Sequence, residues 1–482
     1  MSRPHGAPQT TYLLLAAACF AGFTVSLIIN YPGYMTYDSI LQILEAREGV
    51  YSDWHPPFMA FIWHFTNKVI PGPFGMLILQ TMLVWSGTFL IAVYFFADKQ
   101  RPLLALTPCL LVFYPAVFGI SGAIWKDILM WGFLLLAIGV AGTINASSPV
   151  TSYRSIAKLT ALSFALLAGL LCRHNAAFAV IPLIALAAAR SIGPAPGVRK
   201  LAAASLIGGF AFAAILLGSI FVNSILTTYK TTMWNQVAFF DIAGVIYRLP
   251  DKNEQTAIYQ SIPARLRGNG SLENLLLTYS PENWGTMVLG EHPAFRSDPS
   301  KYHETAIRDD ITEQEATVLG RLWIETIIHH PFAWVEHRFD VFKEVIGLTH
   351  HDLRSAVAMR KQYPDWLGAA YGRVDPEPNR LQISANWLLT HLSWHFIFRP
   401  WLYLLITTCV LLGCLIFPTP ERMQCAFIAA SGFAYEASLF LFAPAADFRY
   451  SHYMIYISLL ASLLLARTIR FHRRAAKLES EP

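Results

Sequence analysis

Long apolar runs separated by short polar loops set the pattern of this chain. Ten of them read as crossing helices: 11–30, 76–97, 103–121, 127–145, 157–172, 176–190, 201–225, 400–418, 423–443 and 450–467. A helix that crosses a bilayer needs roughly 20 mostly apolar residues, because hydrocarbon leaves unpaired backbone groups unsatisfied. The fifth and sixth are short by that measure. Thr11 to Asn30 has the length of a span and lacks a small-x-small cleavage site, so it reads as a retained first helix. Phe58 to Phe65 is too short to cross and reads as interfacial or re-entrant. The expected fold class is an all-α polytopic membrane protein.

Lys and Arg in the short loops orient the spans. With the amino terminus inside, inner loops hold Lys99 and Arg101, Arg154 and Lys158, Arg190, Arg199 and Lys200, and Arg422. The inner tail adds Arg467, Arg470, Arg473, Arg474 and Lys477. Both termini are then cytoplasmic, and two long segments face outward. The chain divides into residues 1–225, a transmembrane module whose first outer loop is 31–75; 226–399, a mostly helical outer-face domain; and 400–482, the last helices with a basic tail. In the outer domain, Asp309 to Ile328 and Pro331 to Ile346 read as helices, with Pro331 in a first turn. No repeat of fixed period is visible.

Composition agrees: 55% of residues are hydrophobic and 14% charged, against about 25% charged in soluble domains. The net charge of +5 comes from loops and tail rather than from a solvated basic face, so no nucleic-acid partner is indicated. The six cysteines lie in or beside apolar segments, where they read as small buried hydrophobes. No phosphate-binding glycine loop, dinucleotide fingerprint or HExxH motif occurs.

The chemistry-bearing residues fall on the outer side. Asp38 follows the first span among Tyr31, Tyr34 and Tyr37. It reads either as a general base whose pKa burial would raise, or as the N-cap of a helix Ser39 to Arg47. Asp53 and His55 lie in a run ending Pro56-Pro57, whose prolines stiffen the backbone. That run reads as a phosphate or sugar contact, or as a turn with a satisfied histidine. Lys126 and Asp127 open the fourth span, and Arg173 and Asn175 sit between the fifth and sixth. Asp447, Arg449 and Tyr450 precede the last. Each set has a bland reading, as interfacial anchor, hairpin turn or local ion pair. The functional reading places Lys126, Arg173 and Arg449 on a phosphate. Trp234, Asn235, Gln236 and Asp241 are candidates to line the same site, whereas His329, His330 and His337 read as exposed or capping. Glu436 is the main charge within a span.

An outer-face Asp soon after the first span, followed by His55-Pro56-Pro57, resembles the GT-C superfamily of integral-membrane glycosyltransferases, in particular protein O-mannosyltransferases and the aminoarabinose transferases that modify lipid A. The specific match covers about residues 31–62. The resemblance implies a GT-C-like fold, an outer active site, inversion at the sugar, a polyprenyl-phosphate sugar donor and Asp38 as the catalytic carboxylate. Ser39 stands where the family often has a second acidic residue, and Asp53 or nothing takes its place. The resulting expectation is a glycosyltransferase of a bacterial inner membrane, with a periplasmic site and a glycan or glycolipid acceptor. No cofactor is required, and a divalent metal is permitted by Asp38 and Asp53. A glycan polymerase or ligase and a sugar transporter or flippase are the competing classes.

Overall fold

The computed structural model describes residues 8–98, 102–145, 152–192, 198–290, 305–308, 310–349, 356–359, 365–372, 377–417, 419 and 421–480. Its α-helices are α1 (Gln9–Asn30), α2 (Tyr37–Glu48), α3 (Phe58–Val69), α4 (Phe74–Ile91), α5 (Thr107–Val112), α6 (Pro115–Ser121), α7 (Lys126–Gly142), α8 (Tyr153–Cys172), α9 (Ala176–Ile192) and α10 (Val198–Leu226). The segment 226–399, expected to face outward, contributes α11 (Asn235–Arg248), α12 (Lys252–Ser261), α13 (Ala264–Arg267), α14 (Leu272–Thr278), α15 (Gly285–Leu289), α16 (Glu313–His329), α17 (Pro331–Val345), α18 (Asp365–Tyr371) and α19 (Arg380–Leu392). The chain closes with α20 (Pro400–Ile416), α21 (Arg422–Phe442) and α22 (His452–Ser480).

Among the described residues six helices are long and apolar enough to cross a membrane: Gln9–Asn30, Phe74–Phe96, Tyr153–Cys172, Ala202–Leu226, Arg422–Phe442 and Phe448–Arg470. The protein is therefore a helical, multi-pass membrane protein, but ten crossings is too many by this measure. The expected span 103–121 is a pair of helices bent by 54°, a seventh span if counted as one. Pro115 sits in the first turn of α6, where its missing N–H interrupts the ladder of the preceding helix. The segments at 127–145, 176–190 and 400–418 form helices of 17 residues. At that length each spans roughly 25 Å, against a hydrocarbon core of roughly 30 Å.

Two hydrophobic cores organise the molecule. The first runs through the bundle, from Leu15 on α1 to Leu464 on α22. Ala356, Ala358, Met359, Tyr371, Leu389 and Phe398 from segment 226–399 also join it. The second is built by α11–α17 and closes on Leu439, Ala443 and Tyr450 next to the last loop. α16 begins at Glu313, with Thr312 and Glu315 forming a capping box; the expected start at Asp309 lies outside the described residues.

Asp241 and His337 sit in the second core, away from the charged site. Asp241 Oδ1 lies 2.6 Å from Arg338 Nε and 3.2 Å from His337 Nε2, and Oδ2 accepts from Trp323 Nε1 at 2.8 Å. Tyr279 donates to His337 Nδ1 at 2.8 Å and accepts from Arg248 at 3.0 Å. His337 is thus fully buried, against the expectation of an exposed or capping residue, and Gly244 makes the room. A Cβ at Gly244 would stand 2.1 Å from the imidazole. Trp234 stacks on Trp323, and Asn235 and Gln236 are buried in the first turn of α11.

Among the described residues there are no strands, only three isolated bridges, and each pins a loop at the same end of the bundle. Tyr34 pairs with Ala123, Ser52 with Tyr229, and Asn283 with Ala445. They bring the first loop to the starts of α7 and α11, and segment 226–399 to the loop before α22.

Candidate active site

Asp38 does not cap α2. Thr36 is the N-cap, with Ser39 Oγ accepting from Thr36 N at 3.2 Å, and Gly49 closes the helix with φ 71°. Asp38 therefore occupies the second position of the first turn, and its carboxylate is free to leave the helix. Ser39, where the resemblance suggested a second acid, is buried and donates to Ile124 O at 2.8 Å. Trp125 Nε1 donates to Thr36 Oγ1 at 2.7 Å, so the start of α2 is fastened to the start of α7.

Around Asp38 the distant motifs meet. Its Oδ2 accepts from Arg449 Nη1 at 2.6 Å, and its Oδ1 lies 3.7 Å from His55 Nε2. Lys126 Nζ is 2.7 Å from His55 Nδ1. Arg449 Nε also lies 3.0 Å from Asp447 Oδ2, and its guanidinium rests 4.9 Å over the Trp125 ring. Arg173 pairs with Asp127 and packs 4.4 Å over the Tyr450 ring; Arg449 lies 5.5 Å from that ring. Asp38, His55, Lys126, Asp127, Arg173, Asp447, Arg449 and Tyr450 thus form one connected group. Asp127 is in the first turn of α7, where the helix dipole favours negative charge.

Two candidates stand apart. Asp53 Oδ1 accepts from the Thr231 N–H and, at 2.7 Å, from Thr231 Oγ1, rather than approaching Asp38. Asn175, half-buried in the turn before α9, contributes no side-chain hydrogen bond or ion pair among the described residues. Trp125, Thr36 and Thr231 escaped the sequence reading. Trp125 left a signal, an aromatic residue directly before a charged helix start.

The electrostatics follow from burial and company. Burial alone would raise the Asp38 carboxyl, but Arg449, His55 and Lys126 outweigh it and hold it well below the usual carboxylate range. Burial, followed by the Lys126 charge, lowers His55 to about 3 despite the opposing pull of Asp38. His55 is therefore neutral at pH 7. Nδ1 accepts from Lys126, so the ring proton sits on Nε2. That buried Nε2 has no hydrogen-bond partner and lies 3.7 Å from Asp38 Oδ1. Among the described residues no group of three or more His, Cys, Asp or Glu side chains is arranged to hold a metal. A cavity of about 350 Å³ adjoins the cluster, lined in part by Asp53, His174 and one face of α10.

No protein-family model matches this sequence, and neither does any curated protein. Among solved structures the chain is similar to the archaeal oligosaccharyltransferase AglB from Archaeoglobus fulgidus, determined in complex with an inhibitory peptide and a dolichol-phosphate. The TM-score is 0.41 at 11% identity, over 98% of this chain and 53% of that one. The chain thus spans about half the length of that protein, and so loose a superposition carries no functional argument. The functional reading stands on the geometry of the charged cluster.

Proposed function

We propose that this chain is an inverting membrane glycosyltransferase that moves a sugar from a polyprenyl-phosphate donor to a hydroxyl of a glycan or lipid acceptor. The observation that carries the reading is a carboxylate and an unpartnered imidazole N–H in one connected cluster with three basic side chains, Lys126, Arg173 and Arg449. In this reading the site faces outward and both termini are cytoplasmic, supported by the basic residues at the other end of the bundle.

Asp38 takes the proton of the acceptor hydroxyl as its oxygen attacks the anomeric carbon. The bond from that carbon to the phosphate oxygen breaks, and the lipid phosphate leaves with the electron pair. Lys126, Arg173 and Arg449 meet the charge that grows on it. His55 Nε2–H orients the acceptor or the sugar. No step is routed through a metal.

Arg449 makes the base conditional on the donor. Paired with Arg449, Asp38 is a weak proton acceptor. A phosphate that draws the guanidinium away leaves Asp38 to burial, which raises its pKa and strengthens it as a base. Asp447, on the other side of Arg449, keeps the guanidinium in reach of both.

A transporter would place its polar groups near the bilayer midplane. Here the charged cluster gathers at helix ends, and Glu436 bonds Ser451 at 2.7 Å, directly before α22. The test is mass spectrometry of surface glycolipids with and without the gene. A component lighter by one fixed sugar mass is expected to appear in the deletion; an unchanged profile together with sugar uptake into vesicles supports transport instead.

A further inference from the structure

Two short sequence links form a common wall between the charged cluster and the cavity beside it. In Asp53–Trp54–His55, the histidine faces Asp38 and Asp53 lines the cavity. In Arg173–His174, the arginine lies over Tyr450 and the histidine lines the cavity. The opposite wall is α10. Its Ser219 and Asn223, and Thr227 directly after its last residue, recur every fourth position and so share one face. Asn223 Oδ1 is shut off from solvent and has no hydrogen-bond partner among the described residues.

The setting of this polar stripe is unusual. α10 is the least covered of the six apolar spans, and Leu217, Phe221 and Ile225 stand exposed on its outer side. Thr227 Oγ1 donates to Asn223 O and Ser224 Oγ to Phe221 O, both at 2.8 Å, whereas Asn223 Oδ1 is left for a polar group to meet. Leu170 and Leu216 give the cavity an apolar part. Ile220 and Ser224 carry its rim onto the exposed flank of α10, so it opens sideways toward lipid as well as endwise at His174 and Lys230.

We propose that this cavity seats the acceptor and that the acceptor is a glycolipid, whose head group enters from the bilayer. This rests on the glycosyl-transfer reading of the charged cluster. The hydroxyl and amide groups of α10 suit sugar hydroxyls, and the apolar part suits the first methylenes of a lipid tail. Lys230, the one Lys or Arg among the described residues that line the cavity, is 3.9 Å from Glu313, so this lining differs from the cluster of basic side chains beside Asp38 that suits a phosphate. A soluble glycan would need neither the apolar lining nor the lateral mouth.

The test uses the full chain in lipid nanodiscs and a dodecyl glucoside carrying a photoreactive diazirine. Labelling is expected within residues 216–227, saturable by unlabelled dodecyl glucoside and unaffected by equal concentrations of glucose or undecaprenyl phosphate. Asn223→Phe, which fills the cavity, is expected to abolish it. Thr227→Val, which removes a hydroxyl at nearly constant shape, is expected to reduce it about two- to fivefold, the loss of roughly one hydrogen bond, and covers the case in which the first variant misfolds. Displacement by undecaprenyl phosphate would assign the cavity to the donor. Equal displacement by glucose would make the acceptor soluble, and labelling that never saturates would remove the site. Because labelling needs no turnover, it fails or succeeds independently of sugar transfer.

Discussion

The ion pair between Asp38 and Arg449 decides most of what this site can do. If Asp38 is the base, Asp38→Asn removes proton transfer and leaves the cations in place. Turnover is expected to fall roughly a hundred- to ten-thousandfold, with donor affinity in a lipid-binding assay kept. Equal loss of both would make Asp38 a structural ion-pair partner. Arg449→Gln tests the other half. It leaves two buried carboxylates without their cation and is expected to destabilise the fold by about 3 kcal/mol, the low end for such a loss because Asp38 keeps 20% of its side chain exposed. It should also weaken donor binding, which Asp38→Asn does not. The sign of the pH effect is fixed by the depressed Asp38 pKa. The pair's contribution is complete above the unfolded value of about 4 and disappears as pH falls through the lower folded value. Through this pair, acid is therefore expected to reduce stability only below the ordinary carboxylate range.

Helices were legible in the sequence to different degrees. Every apolar segment read as a crossing forms helix, because apolar length is a local property. Which of them reach across a bilayer was less legible: α7, α9 and α20 are short, and Pro115 bends the seventh candidate. For the site, the sequence showed which ionisable residues gather at one end but not how they pair. Thr36 rather than Asp38 caps α2 because Trp125, 89 positions away, bonds its hydroxyl. Asp53 turns to Thr231, 178 positions away, rather than to Asp38. α19 shows what geometry adds. Asn379 donates to Ile28 O at 3.2 Å and Gln382 to Tyr31 O, which ties its start to the end of α1; its other end leads into α20. Both ends thus meet apolar helices of the bundle, and Leu381, Trp387, Leu388 and Trp394 are left exposed. Tryptophans favour membrane interfaces. A nitroxide at Trp387→Cys is expected to collide more with lipid-soluble oxygen than with an aqueous nickel chelate. The reverse preference would lift α19 into solvent.

The two cores meet at the loop that carries Arg449. Arg338 Nη1 donates to Ala443 O at 2.9 Å, and Tyr450 packs in the second core while its ring supports Arg173. The second core therefore holds the last loop in place, and His337 lies within it. Burial lowers His337 to about 4, though Asp241 pulls the other way. The folded protein keeps it neutral, whereas the unfolded chain protonates it near 6.5. Between those values the unfolded state binds more protons, so stability falls as pH falls, by on the order of 3 kcal/mol across the window. His55 adds to the loss with the same sign, its folded value being about 3. Asp38 and Asp241 do not offset it, since both are held below the usual carboxylate range. In thermal unfolding in detergent, the midpoint of the unaltered protein is expected to fall relative to that of His337→Gln as pH goes from 7 to 5. Because the loop is fastened to that core, donor binding should be weaker in His337→Gln, whose amide cannot reproduce both bonds of the imidazole. Identical slopes in both proteins would remove His337 from the account, and a donor affinity indifferent to that variant would uncouple the second core from the site.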